Sequence, residues 1–238
     1  MKRIEFFPKK KDFAEVFPHP IPISSSMPSW WKTQGSTFDN NQIPSNGVLK
    51  LTVKKCQAIF DSMTAGYYLL CPVDIYVDAS GPKLQIQIPA SHFSQYNEII
   101  ADHTPEQVAK YPKKDYYHPN ILRIHPMWLV HTPKNYSCLF TEPIHSENTG
   151  IHAIPGLIDT DSYISDGYLS FFVEKGFKGT IKQGTPIIQV LPFKRDAWSS
   201  FITKDKNSDI TLMKQQLKVR TVFQNGYRTK FWTKKIFK

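Results

Sequence analysis

The chain has 238 residues, enough for one large domain or a domain with an appendage, and enough to build a core without metal or disulfide staples. Hydrophobic residues make up 40% and charged residues 21%, which excludes wholesale disorder, while 18 prolines against 11 glycines and 13% aromatics favour a β-rich body over a helical bundle. The formal net charge of +10 is concentrated at one end: residues 201–238 hold ten Lys or Arg against two Asp, and the first 200 residues are nearly balanced, with 20 basic and 18 acidic side chains.

In chain order, residues 1–47 read as an extended Pro-rich arm. Ile4–Phe7 suits a short strand, and Pro8, Pro18, Pro20, Pro22 and Pro28 each block helix continuation. Trp30 and Trp31 follow the last of these, where aromatics pack onto the body or onto a neighbouring subunit. A β body is expected over 48–195. Val48–Val53 and Lys83–Pro89 alternate apolar and polar residues, as a sheet with one buried face requires, and Tyr67–Val77 is a further strand segment. Ala79-Ser80-Gly81-Pro82 is a hairpin signal. Residues from about 91 to 120 are polar and punctuated by proline and read as an insertion loop with a short helix begun by Thr104-Pro105. Residues 121–193 hold the densest run of strands. The rest, 196–238, reads as a basic, aromatic helix and tail. Apolar residues at 210, 213, 217 and 219 predict a helix over Asp209–Gln224, with Ser208 as N-cap and Asn225-Gly226 as stop.

Several chemistries have no pattern to carry them. Cys56, Cys71 and Cys138 form no CxxC pair and are expected to be reduced thiols of a cytosolic protein. No run of 18 apolar residues exists, so no membrane span is expected. The basic N-terminus lacks an apolar h-region, so no signal peptide is expected. Of the eight histidines, His145-Ser146-Glu147 has an HxE form, but the last histidine, His152, is only seven residues on, so no metal site is expected. Nucleophile elbows and Gly-rich phosphate loops are absent.

The strongest signal is Pro155-Gly156-Leu157-Ile158-Asp159-Thr160-Asp161-Ser162-Tyr163, followed some twenty residues later by Ile181–Pro192. Asp159 and Asp161 crowd two carboxylates into a turn. Acids at i and i+2 activate water or hold Mg²⁺, or simply cap a β-turn. The segment resembles the third motif of the trimeric dUTPase and dCTP deaminase family, a β-clip fold, roughly G-[VLI]-I-D-x-D-Y. Gly184 with Ile187, Gln189 and Val190 resembles its fourth motif, Thr132–Tyr136 the approach to its second, and Thr64–Leu69 its first, A-G-Y-D-L. The resemblance implies a mainly β, β-clip or jelly-roll-like body, a trimer, Asp159 as the residue that orients the attacking water or helps bind the sugar, and a pocket lined by Gly156, Tyr163, Gln189 and Tyr68; Asp161 joins Asp159 as a catalytic candidate through the paired-acid turn alone. It also breaks in ways that bear on chemistry. Tyr68 replaces the first-motif Asp. Thr141-Glu142-Pro143-Ile144 stands where the phosphate-holding R-S-[GS] belongs, and an acid there repels phosphate. The Gly-rich fifth motif is missing.

A second resemblance covers nearly the whole chain. The arm Pro28–Lys32, the segment Asp61–Tyr67, Tyr136–Phe140, the block Gly184–Arg195 and the end near Phe231-Trp232 resemble an uncharacterised family from tailed phages and bacteria. It implies a phage context, in the cytoplasm of an infected host or in a virion, with a host or virion protein as partner and no known activity.

The sequence therefore reads first as a non-enzymatic assembly or binding protein on a scaffold that has lost its catalytic motifs, needing no cofactor. Its interaction candidates are Trp30, Trp31, Lys230, Phe231, Trp232, Lys234 and Lys235, since buried aromatics dominate interface energies. The alternatives are a nucleotide pyrophosphatase or deaminase-like enzyme using Asp159, with Mg²⁺, and a nucleic-acid binder whose basic C-terminal segment interleaves aromatic residues for base stacking.

Overall fold

Strands dominate the computed structural model, which describes residues 2–37, 51–112, 114–167, 169–202, 208–220 and 226–238; the side chains of Asp102, Ser208 and Arg220 are outside that description. In chain order the strands are β1 (Glu5–Pro8), β2 (Ile21–Pro22), β3 (Tyr67–Leu70), β4 (Ile75–Asp78), β5 (Gln85–Gln87), β6 (Ile100–His103), β7 (Ile121–Ile124), β8 (Trp128–His131), β9 (Tyr136–Thr141), β10 (Ile151–Ala153), β11 (Gly156–Ile158), β12 (Ser170–Val173), β13 (Lys178–Ile181) and β14 (Pro186–Lys194). The helices are α1 (Phe13–Val16), α2 (Ser29–Thr33), α3 (Gln57–Thr64), α4 (Tyr96–Ile99), α5 (Ser208–Arg220) and α6 (Gly226–Lys230). The mainly β architecture expected from the alternating segments is the one found.

The chain divides into two compact units, Met1–Ser26 with Gly66–Arg195, and Met27–Ala65 with Asp196–Lys238. All the strands named above fall in the first. They form antiparallel sheets with the orders β11-β9-β14-β3-β2, β10-β12-β7-β6, β13-β4-β5 and β1-β8. The proline-rich start does not trail off, because Glu5–Pro8 pairs with β8 in the register Glu5↔His131. Within the segment read as an insertion loop, Ile100–His103 is an edge strand on β7.

Alternation decides which faces are buried. Leu122, Ile124, Phe171 and Val173 turn inward from β7 and β12 and meet Leu69, Ile75, Val77, Cys138, Phe140, Ile188 and Val190 in one core. Strand β3 is buried on both faces, which is why Tyr67–Leu70 reads as an unbroken apolar run. Tyr68 and Leu70 point away from the main core and pack with Ile23. At the Ala79–Pro82 hairpin, Asp78 Oδ1 accepts the Ser80 N–H at 3.0 Å, closing the predicted turn between β4 and β5.

The regular elements described in the second unit are helices. Val48–Val53 had the alternation of a strand, but Leu51 makes only an isolated bridge to Thr37, Val53–Lys55 forms one 3₁₀ turn, and residues 48–50 lie outside the described residues. The following Gln57–Thr64 is helix. The C-terminal helix runs over Ser208–Arg220; Gly226, the expected stop, instead opens α6, and 221–225 lie outside the described residues.

Candidate functional site

The two aspartates of the Gly156–Tyr163 segment sit in a tight turn after β11, where the Ser162 and Tyr163 N–H groups donate to the Asp159 carbonyl at 3.0 and 2.9 Å. The turn lies beside the end of the β9–β14 pairing, whose last matched residues are Tyr136 and Lys194. That register delivers Arg195, the next residue, to the carboxylates. Arg195 Nη1 and Nη2 donate to Asp161 Oδ1, at 2.8 Å, and Oδ2 in a two-pronged pair. Arg195 Nη1 also lies 3.1 Å from Asp159 Oδ1 and donates to Ser137 Oγ at 3.0 Å. Ser137 Oγ in turn donates to Asp159 Oδ1 at 2.6 Å, and the Asn135 N–H donates to Asp161 Oδ2 at 2.7 Å.

These contacts set the charge of both acids. The Arg195 hydrogen bonds, aided by the Asn135 N–H, outweigh burial and hold the Asp161 carboxyl at about 2. The Ser137 hydroxyl, with Arg195 beside it, holds Asp159 below its ordinary value. A carboxylate stabilised in this way is a weak base, and at neutral pH it has no proton to donate. The side chain of Asp161 is 6% exposed and that of Asp159 is 64% exposed, so only Asp159 can meet a molecule from solvent.

A pH dependence follows from Asp161. A carboxyl whose folded value is depressed adds stability above its unfolded value, here near 3.8, and that stability is lost as pH falls through about 2. Arg195→Met is expected to return Asp161 toward 3.8 and to move the acid-unfolding midpoint to higher pH. Titration of the Asp161 carboxyl by NMR, with acid unfolding followed by circular dichroism, checks both shifts.

The other sequence-selected pocket residues do not gather round this pair. Tyr68 and Gln189 face each other across β3 and β14, and both are buried. Burial pushes the Tyr68 phenol up to about 12. Gln189 Oε1 accepts the Ile144 N–H at 2.9 Å, so that oxygen is engaged within the chain. Gly156 pairs with Phe140 in the β11–β9 ladder, and Tyr163 stands half exposed beyond the turn.

Three of the four aromatic candidates of the second unit, Trp30, Trp31 and Trp232, make contacts within their own chain. Trp31 is buried, lies edge-on to Trp30 with centroids 5.6 Å apart, and contacts Phe60 at 5.9 Å. Lys54 Nζ donates to the Trp31 carbonyl at 2.9 Å. Trp232 Nε1 donates to both carboxylate oxygens of Asp61, at 2.9 and 2.8 Å, while Arg228 and Lys235 lie over its ring. Lys235 Nζ reaches Asp61 Oδ2 at 2.7 Å. Burial pushes Asp61 up, but Lys235, Trp232 and Gln57 outweigh it and hold the carboxyl below its ordinary value. Lys230, Phe231 and Lys234 are exposed.

Three features had no local signal in the sequence. Arg195 lies 34 residues from Asp161 and meets it only through the β9–β14 register. His125 Nδ1 and Asp166 Oδ2 form a buried pair at 2.6 Å, from residues 41 apart. Trp198, Phe201 and Ile202 are 90%, 86% and 93% exposed, at the start of the stretch read as basic and aromatic, where no pattern set them apart.

No known protein family matches the chain, and neither does any curated protein. Among solved structures the chain is similar to a native EIAV dUTPase, with a TM-score of 0.31 and 14% identity over 60% of this chain and 86% of that one. The reading of the site rests on the chain's own contacts.

Proposed function

We propose that the chain is a non-enzymatic, phage-type assembly protein built on a β-rich scaffold. The observation that carries this reading is the Arg195 clamp. Of the groups that would do chemistry at the Gly156–Tyr163 turn, Asp161 is buried in a two-pronged ion pair, and Asp159 is bound by Ser137 and Arg195. A turn tied up in this way braces the end of a sheet.

Surface composition supports the assembly half of the reading. Trp198, Phe201 and Ile202 stand almost fully in solvent, and the helix that follows exposes Ile210, Leu212, Met213 and Leu217. Trp198, Phe201 and Ile202 are more exposed than the large apolar side chains of the other described segments, and apolar surface of that kind marks a surface that meets a partner. The net positive charge of the same segment keeps it soluble until it does so.

The test is the mass of the full chain in solution by sedimentation at micromolar concentration. Assembly predicts a species heavier than the 27.5 kDa monomer, shifted toward monomer in the triple variant Trp198→Ser, Phe201→Ser, Ile202→Ser. A monomer throughout the concentration range would overturn the reading.

A further inference from the structure

We propose that α5 is a self-association helix, pairing in parallel and in register with α5 of a second copy of this chain. The inference rests on the assembly reading and names its partner and its surface.

α5 has 13 residues and two apolar stripes. Leu212 and Val219 face one way and line a groove with Tyr227 of α6 and with Phe231 just after it. Ile210, Met213 and Leu217 form the other stripe, on the opposite side of the helix. They are 52%, 69% and 64% exposed. Their spacing of three and then four residues is that of the seam between two packed helices, with side chains of each helix seating between those of the other.

Charge chooses the occupant and its direction. Asp209 immediately precedes the first seam residue, and Lys214 immediately follows the second. They are five residues apart, with opposite sign. In a parallel, in-register pair the residue before one seam position lies across from the residue five places on in the partner helix, so each Asp209 faces the other copy's Lys214. The two-fold relation makes that contact twice. An antiparallel pair would bring the two Lys214 side chains together and lose both attractions. A single helix of this length is marginal alone, so the seam works as an added contact between chains already held close by other surfaces.

Three measurements on the full chain test this. In a Cys56→Ser background, which removes the exposed native thiol, Met213→Cys is expected to oxidise to a covalent pair at micromolar concentration, because a parallel seam places that position beside itself. Leu217→Glu is expected to weaken association at least tenfold by sedimentation. Lys214→Asp is expected to weaken it less, and Asp209→Lys with Lys214→Asp together to restore it. A wild-type monomer would sink both this inference and the assembly reading. A wild-type oligomer that Leu217→Glu leaves unchanged, or that gives no cross-link through Met213→Cys, would overturn the seam alone and leave assembly to another surface. If Leu217→Glu instead kept its mass and lost binding to a single-stranded oligonucleotide, the stripe would belong to nucleic acid and the inference would fall.

Discussion

Gly66→Ala is expected to destabilise the chain by roughly 2–5 kcal/mol, from a left-handed backbone cost of about 1–2 kcal/mol and an overpacking cost of about 1–3 kcal/mol. Gly66 has φ +87°, and a Cβ there would lie 2.1 Å from the Val190 carbonyl oxygen and 3.0 Å from its carbon. Both atoms belong to the backbone of β14, so no rotamer change relieves the contact. The same residue fixes the entry to β3, the strand between β14 and β2 in the five-stranded sheet, and its carbonyl accepts the Ile23 N–H at 3.2 Å. Natural domains are stable by only about 5–15 kcal/mol, so a cost of this size is a large share of the whole. Urea unfolding of the full chain, beside Gly66→Ala, checks it. A loss below about 1 kcal/mol would mean that β14 can move away, which the account of this sheet does not allow.

The second large effect is expected at the His125–Asp166 pair. Asp166→Ala is expected to cost about 3–5 kcal/mol, because it removes one partner from a buried pair and leaves the other in a poorly solvated site. The pair ties β7 to the loop that follows the Gly156–Tyr163 turn. The His125 N–H continues the β6–β7 ladder by donating to the Ile99 carbonyl at 2.8 Å, and the Val130 N–H donates to the Ser165 carbonyl at 2.8 Å beside Asp166. Ser165 Oγ accepts the Gly167 N–H at 3.0 Å, and Gly167 itself adopts φ +93° against the Phe140 ring. These bonds tie the loop to its neighbouring strands, with Asp166 at their centre. A double variant, His125→Leu with Asp166→Leu, is expected to recover part of the loss, since it removes both buried polar side chains of the pair together. Additive losses in that double-mutant cycle would contradict a coupled pair.

The strands that could be read from the sequence are those whose burial is periodic or complete. Tyr67–Leu70, Tyr136–Thr141 and Pro186–Lys194 lie in the core sheet and are dense in aromatic and β-branched residues. Misreadings cluster where the pattern is short. Val48–Val53 alternates, yet its described part makes a bridge and a 3₁₀ turn. The helix Gln57–Thr64 was masked because its apolar residues, Ile59, Phe60 and Met63, occupy barely two turns. The apolar positions of α5 were visible, but which of them pack inside the chain depends on α6, and the sequence does not place α6. At the site, the two carboxylates and the turn they occupy were legible from Gly156 to Tyr163. Their state was not, because it depends on Arg195 and Ser137, which the β9–β14 register brings in from 34 and 22 residues away.

The central claim is that Asp159 and Asp161 brace a turn and do no chemistry on a nucleotide. Thermal unfolding of the full chain with Mg²⁺ and each deoxynucleoside triphosphate tests it most directly, beside Asp159→Ala. A ligand at 100 times its dissociation constant stabilises its protein by about 2.7 kcal/mol, which a melting curve resolves. The account predicts no shift with any nucleotide, in the wild type or in the variant. A shift in the wild type that disappears in Asp159→Ala would place a nucleotide at the turn and contradict it.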